Sequence, residues 1–131
     1  MQTIAVLGAG TMGNGIAQVF AQHGFQVHLI DVSKDALGSA IATIEKNLNR
    51  MVDKGVLESH VIEKTLANIK TFTALPEAVK DAYLVVEAAT ENVELKLSLF
   101  KELDAAAPPD AILASNTSSI SISRIAAVTH R

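Results

Sequence analysis

The sequence has no cysteine and no tryptophan, and aromatic residues make up 4% of its 131 positions. The missing thiols exclude a disulfide scaffold, a zinc ribbon, iron–sulfur ligation and a thiolate nucleophile, and they fit a reducing compartment. A surplus of basic charge is also missing, because 11 Lys and Arg stand against 14 Asp and Glu, for a net charge of −3. Affinity for phosphate backbones is mostly cation-driven, so no nucleic-acid partner is expected. No apolar run reaches the roughly 18–20 residues that span a bilayer. The first apolar segment, Ile4 to Leu7, begins too early for a signal or transit peptide. A soluble, cytoplasmic chain without a membrane partner is the expectation.

Hydrophobic residues are plentiful, at 49% of the chain, and the mean hydropathy of +0.29 is high beside 19% charged residues. At about 100–200 residues per domain the length makes one domain. The apolar residues fall in short blocks. Thr3–Leu7, Gln26–Ile30, Tyr83–Ala88 and Ala111–Ala114 are near-continuous runs bounded by Gly, Asp, Asn or Pro, as in strands buried on both faces of a parallel sheet. Ile69–Thr73 is a weaker fifth. Between them, Leu37, Ala40, Ile41, Ile44, Leu48 and Met51 keep helical spacing, with Ser33 placed to cap. Further helices are predicted at Thr11–His23, Ser59–Asn68, Val93–Ala107 and Ile122–Val128, with a short one near Pro76–Val79, and Pro108-Pro109 ends the fourth long one. Strands alternating with helices imply right-handed βαβ units and an α/β fold with a Rossmann-type doubly wound parallel sheet.

Gly8-Ala9-Gly10-Thr11-Met12-Gly13 lies between the first strand and the first helix. In such a loop the first glycine allows the tight turn, the second lets backbone approach a pyrophosphate, and the third lets helix and strand pack closely. The hexapeptide alone is weak evidence, and a glycine-rich turn is its bland reading. The strand–turn–helix–strand context strengthens it, as does Asp31, which closes the second strand where a carboxylate accepts the ribose hydroxyls of an adenosine. That carboxylate repels the 2′-phosphate of NADP, and no Arg follows in Val32-Ser33-Lys34, so the cofactor expected is NAD. Lys34 is the one residue that blurs this choice.

Ligands of an open α/β sheet bind beyond the carboxyl ends of the strands. There the sequence offers Ala89-Thr90-Glu91-Asn92 and Ser115-Asn116-Thr117-Ser118-Ser119. Each has a bland alternative, a helix cap for the first and local hydroxyl turns for the second. Lys46, Arg50 and Lys54 recur at i, i+4, i+8 on the long second helix with Asn47 beside them, a stripe that either holds phosphates or is a solvated face. None of His23, His28, His60 and His130 has an evident partner for acid–base work at the carboxyl edge. There is no metal-ligand cluster and no Gly-x-Ser-x-Gly elbow.

The blocks from Gly8 to Gln18, Val85 to Asn92 and Leu113 to Ile120 together resemble the N-terminal domain of NAD-dependent L-3-hydroxyacyl-CoA dehydrogenases, and most of all their bacterial 3-hydroxybutyryl-CoA branch. The likeness runs the length of the chain. It implies that the backbone from Gly10 to Gly13, Thr11 and Met12 included, contacts the pyrophosphate, with Gly8 shaping the turn and Asp31 on the ribose. It further implies that Glu91 and Lys96 approach the nicotinamide half. Ser118 would touch the cofactor and hydrogen-bond the oxygen on the reacting substrate carbon. Asn47, Arg50 and Lys54 become candidates for binding coenzyme A, Arg50 being the one that relatives often replace.

The resemblance also implies an acyl-CoA substrate, short acyl chains and a homodimer built by a helical domain. Family members carry their catalytic base in a His-Phe-Phe-Asn-Pro block after the Ser-Asn-Thr-Ser-Ser segment, and the sequence to Arg131 does not contain it. The expectation is therefore an NAD-binding domain over residues 1–131, incomplete before a last strand and the helical domain, that binds NAD without catalysing. With so short a leader before the first strand, no preceding hydratase domain is expected. A dehydrogenase of a free hydroxy acid and a non-enzymatic relative are the alternatives, since this scaffold hosts many functions.

Overall fold

The computed structural model describes residues 2–117 and 120–131. Its elements run β1 (Thr3–Leu7), α1 (Thr11–Gln22), β2 (Gln26–Ile30), α2 (Lys34–Asp53), α3 (His60–Ala67), β3 (Ile69–Phe72), α4 (Leu75–Val79), β4 (Leu84–Glu87), α5 (Val93–Ala106), β5 (Ile112–Ser115) and α6 (Ile122–Ala126). The five strands form one parallel sheet in the order β3-β2-β1-β4-β5. Strand order reverses between β1 and β4, where Ile4 pairs with Leu84 and Leu7 with Glu87. This is the switch point at which an α/β sheet opens a crevice beyond its carboxyl ends.

Alternation along each strand explains the apolar runs. Ile4 and Val6 of β1, with Val27 and Leu29 of β2, pack against α1 and against Leu37, Ala40, Ile44 and Leu48 of α2. Ala5, Leu7 and Ile30 face the other way, onto Ala78 and Val79 of α4 and Phe100 and Leu103 of α5. Both faces of the central strands are thus covered, and most of their positions are apolar, the exceptions being Thr3, Gln26, His28 and Glu87. The two edges differ from that expectation. Ala111–Ala114 was predicted to be buried on both faces, but β5 begins one residue later and, as an edge strand, leaves Ile112 51% exposed. At the other edge β3 exposes Lys70 and Thr71.

Local chemistry sets the element ends. Ser33 caps α2 by accepting a hydrogen bond from Ala36 N at 3.1 Å, and Asn92 caps α5 through Leu95 N at 3.0 Å. A helix capped in this way is stabilised by about 1 kcal/mol. Among the described residues no helix is long and apolar enough to cross a membrane.

Candidate functional site: the carboxyl edge of β1 and β4

The glycine loop leaves β1 through Gly8, whose φ of +108° is a left-handed conformation that suits glycine. A Cβ at Gly8 would lie 2.7 Å from Ala88 O, so the loop packs backbone to backbone against the segment leaving β4. A Cβ at Gly13 would lie 1.7 Å from Gly8 O, which shows how closely α1 crosses its own entry loop. Gly10 differs, because a Cβ there meets nothing within 4 Å. Gly10 occupies the N-cap of α1 without capping it, and no acidic residue stands in the first turn. The amino end of this 12-residue helix therefore has no side-chain cap on its first N–H groups and no acid within its own first turn.

Asp31 stands beside that end. One carboxylate oxygen accepts from Ala9 N at 3.0 Å and the other from Ser33 N at 2.9 Å. The side chain thereby ties the glycine loop to the corner between β2 and α2, and each oxygen keeps a second lone pair.

Beyond β4 lies a buried ionic network. Glu87 and Lys96 are fully buried, with Lys96 Nζ 2.9 Å from Glu87 Oε1. Because Glu87 and Ser115 are cross-strand partners, Ser115 Oγ donates to the same oxygen at 2.7 Å and accepts from Lys96 Nζ at 3.3 Å. The second oxygen of Glu87 accepts from Ala89 N at 2.7 Å and Thr90 N at 3.1 Å. Four donors saturate this carboxylate. Burial of an ion pair costs several kcal/mol of desolvation per ion, and such saturation offsets it. On the crevice side Lys96 Nζ lies 3.6 Å from Glu91, a side chain 51% exposed that also accepts from Thr117 Oγ1 at 2.9 Å.

Sequence reasoning missed Glu87, and it offered Ser115 only as the first residue of the hydroxyl-rich run, not as a partner of Glu87 and Lys96. A carboxylate ending an otherwise apolar strand, Val85-Val86-Glu87, was the available signal. Lys96 is brought into the cluster with Glu91, while Ser118 lies outside the described residues. The bland readings also describe real contacts: Asn92 caps α5, Thr90 Oγ1 accepts from Asn92 N at 3.0 Å, and Thr117 Oγ1 accepts from Ile120 N at 3.3 Å. Lys46 and Arg50 on α2 are exposed, as is Lys54, which the sequence reading puts on the helix and which is its C-cap, but Asn47 turns from the stripe and donates to Gln18 Oε1 on α1 at 3.3 Å.

The four histidines lie elsewhere. His23 Nδ1 is 2.7 Å from Val19 O, His28 Nδ1 is 2.9 Å from Ala78 O, and His60 pairs with Glu58. His130 contacts Asp104, near the opposite end of the sheet, beside a hollow of about 480 Å³ that Lys101, Pro109 and Arg131 also line. Among the described residues no group of acids and histidines is placed to hold a metal ion.

An anion fits the uncapped amino end of α1, and two ribose hydroxyls fit the carboxylate next to it. With the strand order these features define a dinucleotide-binding domain of the Rossmann type. Residues 3–131 match the family described as 3-hydroxyacyl-CoA dehydrogenase, NAD binding domain, and the chain belongs to that family. It is 48% identical, over 97% of its length, to a 3-hydroxyadipyl-CoA dehydrogenase of Escherichia coli K12, of which it covers 26%. It is also 48% identical over its whole length to a 3-hydroxybutyryl-CoA dehydrogenase of Bradyrhizobium diazoefficiens, covering 44% of it. The crystal structure of (S)-3-hydroxybutyryl-CoA dehydrogenase from Ralstonia eutropha superposes with a TM-score of 0.95 at 43% identity, over 100% of this chain and 46% of that one. The chain thus spans less than half of the relatives it matches. The fold class and the cofactor expected from the sequence agree with these findings.

Proposed function

We propose that the chain holds NAD(H) across the carboxyl edge of β1 and β4, in a protein that exchanges hydride with C3 of a 3-hydroxyacyl- or 3-oxoacyl-CoA with a short acyl chain. The observation that carries this reading is the uncapped amino end of α1 beside the Asp31 carboxylate. The N–H groups from Gly10 to Gly13 hold the pyrophosphate, and Gly10 leaves room for it. Asp31 takes the adenosine ribose hydroxyls with its remaining lone pairs and repels a 2′-phosphate. Bound NAD supplies the hydride acceptor or, reduced, the donor. Glu91 lies at the nicotinamide end with Lys96 behind it, and Ser118 steadies the reacting oxygen of the substrate.

The names of the relatives support a CoA thioester as substrate. Arg50 on α2 and Lys54 at its C-cap, both exposed, meet its phosphates, and Asn47, turned toward Gln18, takes a place nearer α1. A homodimer and a cytoplasmic location complete the reading.

Fluorescence titration tests it. NADH binds the 131-residue chain much more tightly than NADPH does, and equal affinities would overturn the role of Asp31. The same chain does not reduce acetoacetyl-CoA, because its histidines lie away from the carboxyl edge. Measurable turnover would contradict that placement.

A further inference from the structure

The buried network poses a question of charge. Lys96 is among the rarest residues to bury completely, and Glu87 spends all its acceptor capacity inside the protein, so it touches no ligand. Glu91 is the member exposed toward the crevice. Without Glu87, the positive charge of Lys96 would stand 3.6 Å behind Glu91 and cancel it. With Glu87 in place Lys96 is already neutralised. The three residues then carry one net negative charge, and it lies on the crevice side.

The nicotinamide ring is cationic in NAD+ and neutral in NADH, so a charge at this place distinguishes the two. We propose that Glu87 is a positioning residue: it neutralises and anchors Lys96, so that Glu91 presents a net negative charge that favours the oxidised cofactor over the reduced one. The inference rests on the NAD reading above. Glu87 also shapes the 88–90 turn, through Ala89 N and Thr90 N, against which Gly8 packs. Charge and loop geometry therefore depend on one carboxylate.

The test is the ratio of dissociation constants, Kd(NAD+)/Kd(NADH), measured by calorimetry or fluorescence on the whole chain. Dividing one constant by the other cancels the contacts that both redox states share, including any general loosening of the fold. Glu87→Gln and Glu91→Gln each remove the net charge, and each raises the ratio by about fivefold, the order expected of one partly screened unit charge near a cation. The double variant Glu87→Gln/Lys96→Met restores the net charge of the wild type and returns the ratio to its value, even if both affinities fall.

If Glu87→Gln does not fold, Glu91→Gln and the double variant still decide. A ratio unmoved in Glu91→Gln overturns the inference. So does a ratio unmoved in folded Glu87→Gln, or a double variant whose ratio stays shifted like that of Glu91→Gln. Failure of the wild-type chain to bind either nucleotide would instead overturn the NAD reading itself.

Discussion

A methyl group at Gly13 would sit 1.7 Å from the Gly8 carbonyl oxygen, and backbone on both sides leaves nothing flexible to yield. The same substitution two residues on, at Gly15, meets nothing within 4 Å. In one helix, then, Gly→Ala changes sign. Gly15→Ala raises stability by up to about 1 kcal/mol, the helix-propensity difference. Gly13→Ala lowers it by roughly 1–3 kcal/mol, as overpacking does. Thermal melts of the two variants check this, and equal shifts would refute the close crossing. Gly10→Ala leaves the melting temperature near that of the wild type but weakens NADH binding, because its methyl group occupies the mouth of the loop.

At the scale of elements, the end of α5 is held by the last residues of the chain. Asp104 accepts from Arg131 Nε at 2.8 Å and from His130 N at 2.9 Å, and the Arg131 guanidinium also donates to the carbonyls of Asp104, Pro108 and Ala111. The Arg131 guanidinium, and after it His130, lower the pKa of Asp104 from 3.8 to about 2. The carboxylate is therefore ionised in the folded protein at pH values where the unfolded chain has taken up the proton. Its stabilisation is fully present above about pH 4 and is lost as pH falls through 2. Asp104→Asn accordingly melts below the wild type at pH 7, and the gap narrows from pH 4 downward. A gap independent of pH would remove the ionic explanation. On the proposed reading, charge reversal at Arg50 on α2 and at Lys54 at its C-cap, in a protein that joins this domain to the catalytic residues, raises KM for the acyl-CoA by about tenfold, at roughly 0.5–1 kcal/mol for each partly exposed charge contact. NADH affinity stays unchanged. An unchanged KM would leave the stripe a solvated face.

Elements are also where the sequence was most and least legible. Ser33, the apolar stripe of α2 and the glycine loop are local patterns, and each stands where periodicity and turn chemistry put it. Asp31 was legible for the same reason, as the residue that ends a strand. The Glu87–Lys96–Ser115 cluster was not, because it depends on the register of β4 against β5, which no local spacing encodes. The exposure of Ile112 likewise follows from the place of β5 at a sheet edge, and the turn of Asn47 toward Gln18 from the packing of α2 on α1.

For the whole molecule, the connectivity of the sheet governs when the site comes into being. Thr3 finds Gln26 after one short helix, but Ile4 must find Leu84 from most of a chain length away. Closing so large a loop precedes any reward from the contacts it makes, and long-range parallel pairing is slow for that reason. The crevice lies on this seam. In stopped-flow refolding, helical circular dichroism therefore recovers before the NADH fluorescence signal, and coincident recovery would mean that β1 and β4 pair in the first step. The cofactor is in this sense a clock for the last joint to close, and it ignores every partly folded form in which β1 has met β2 alone.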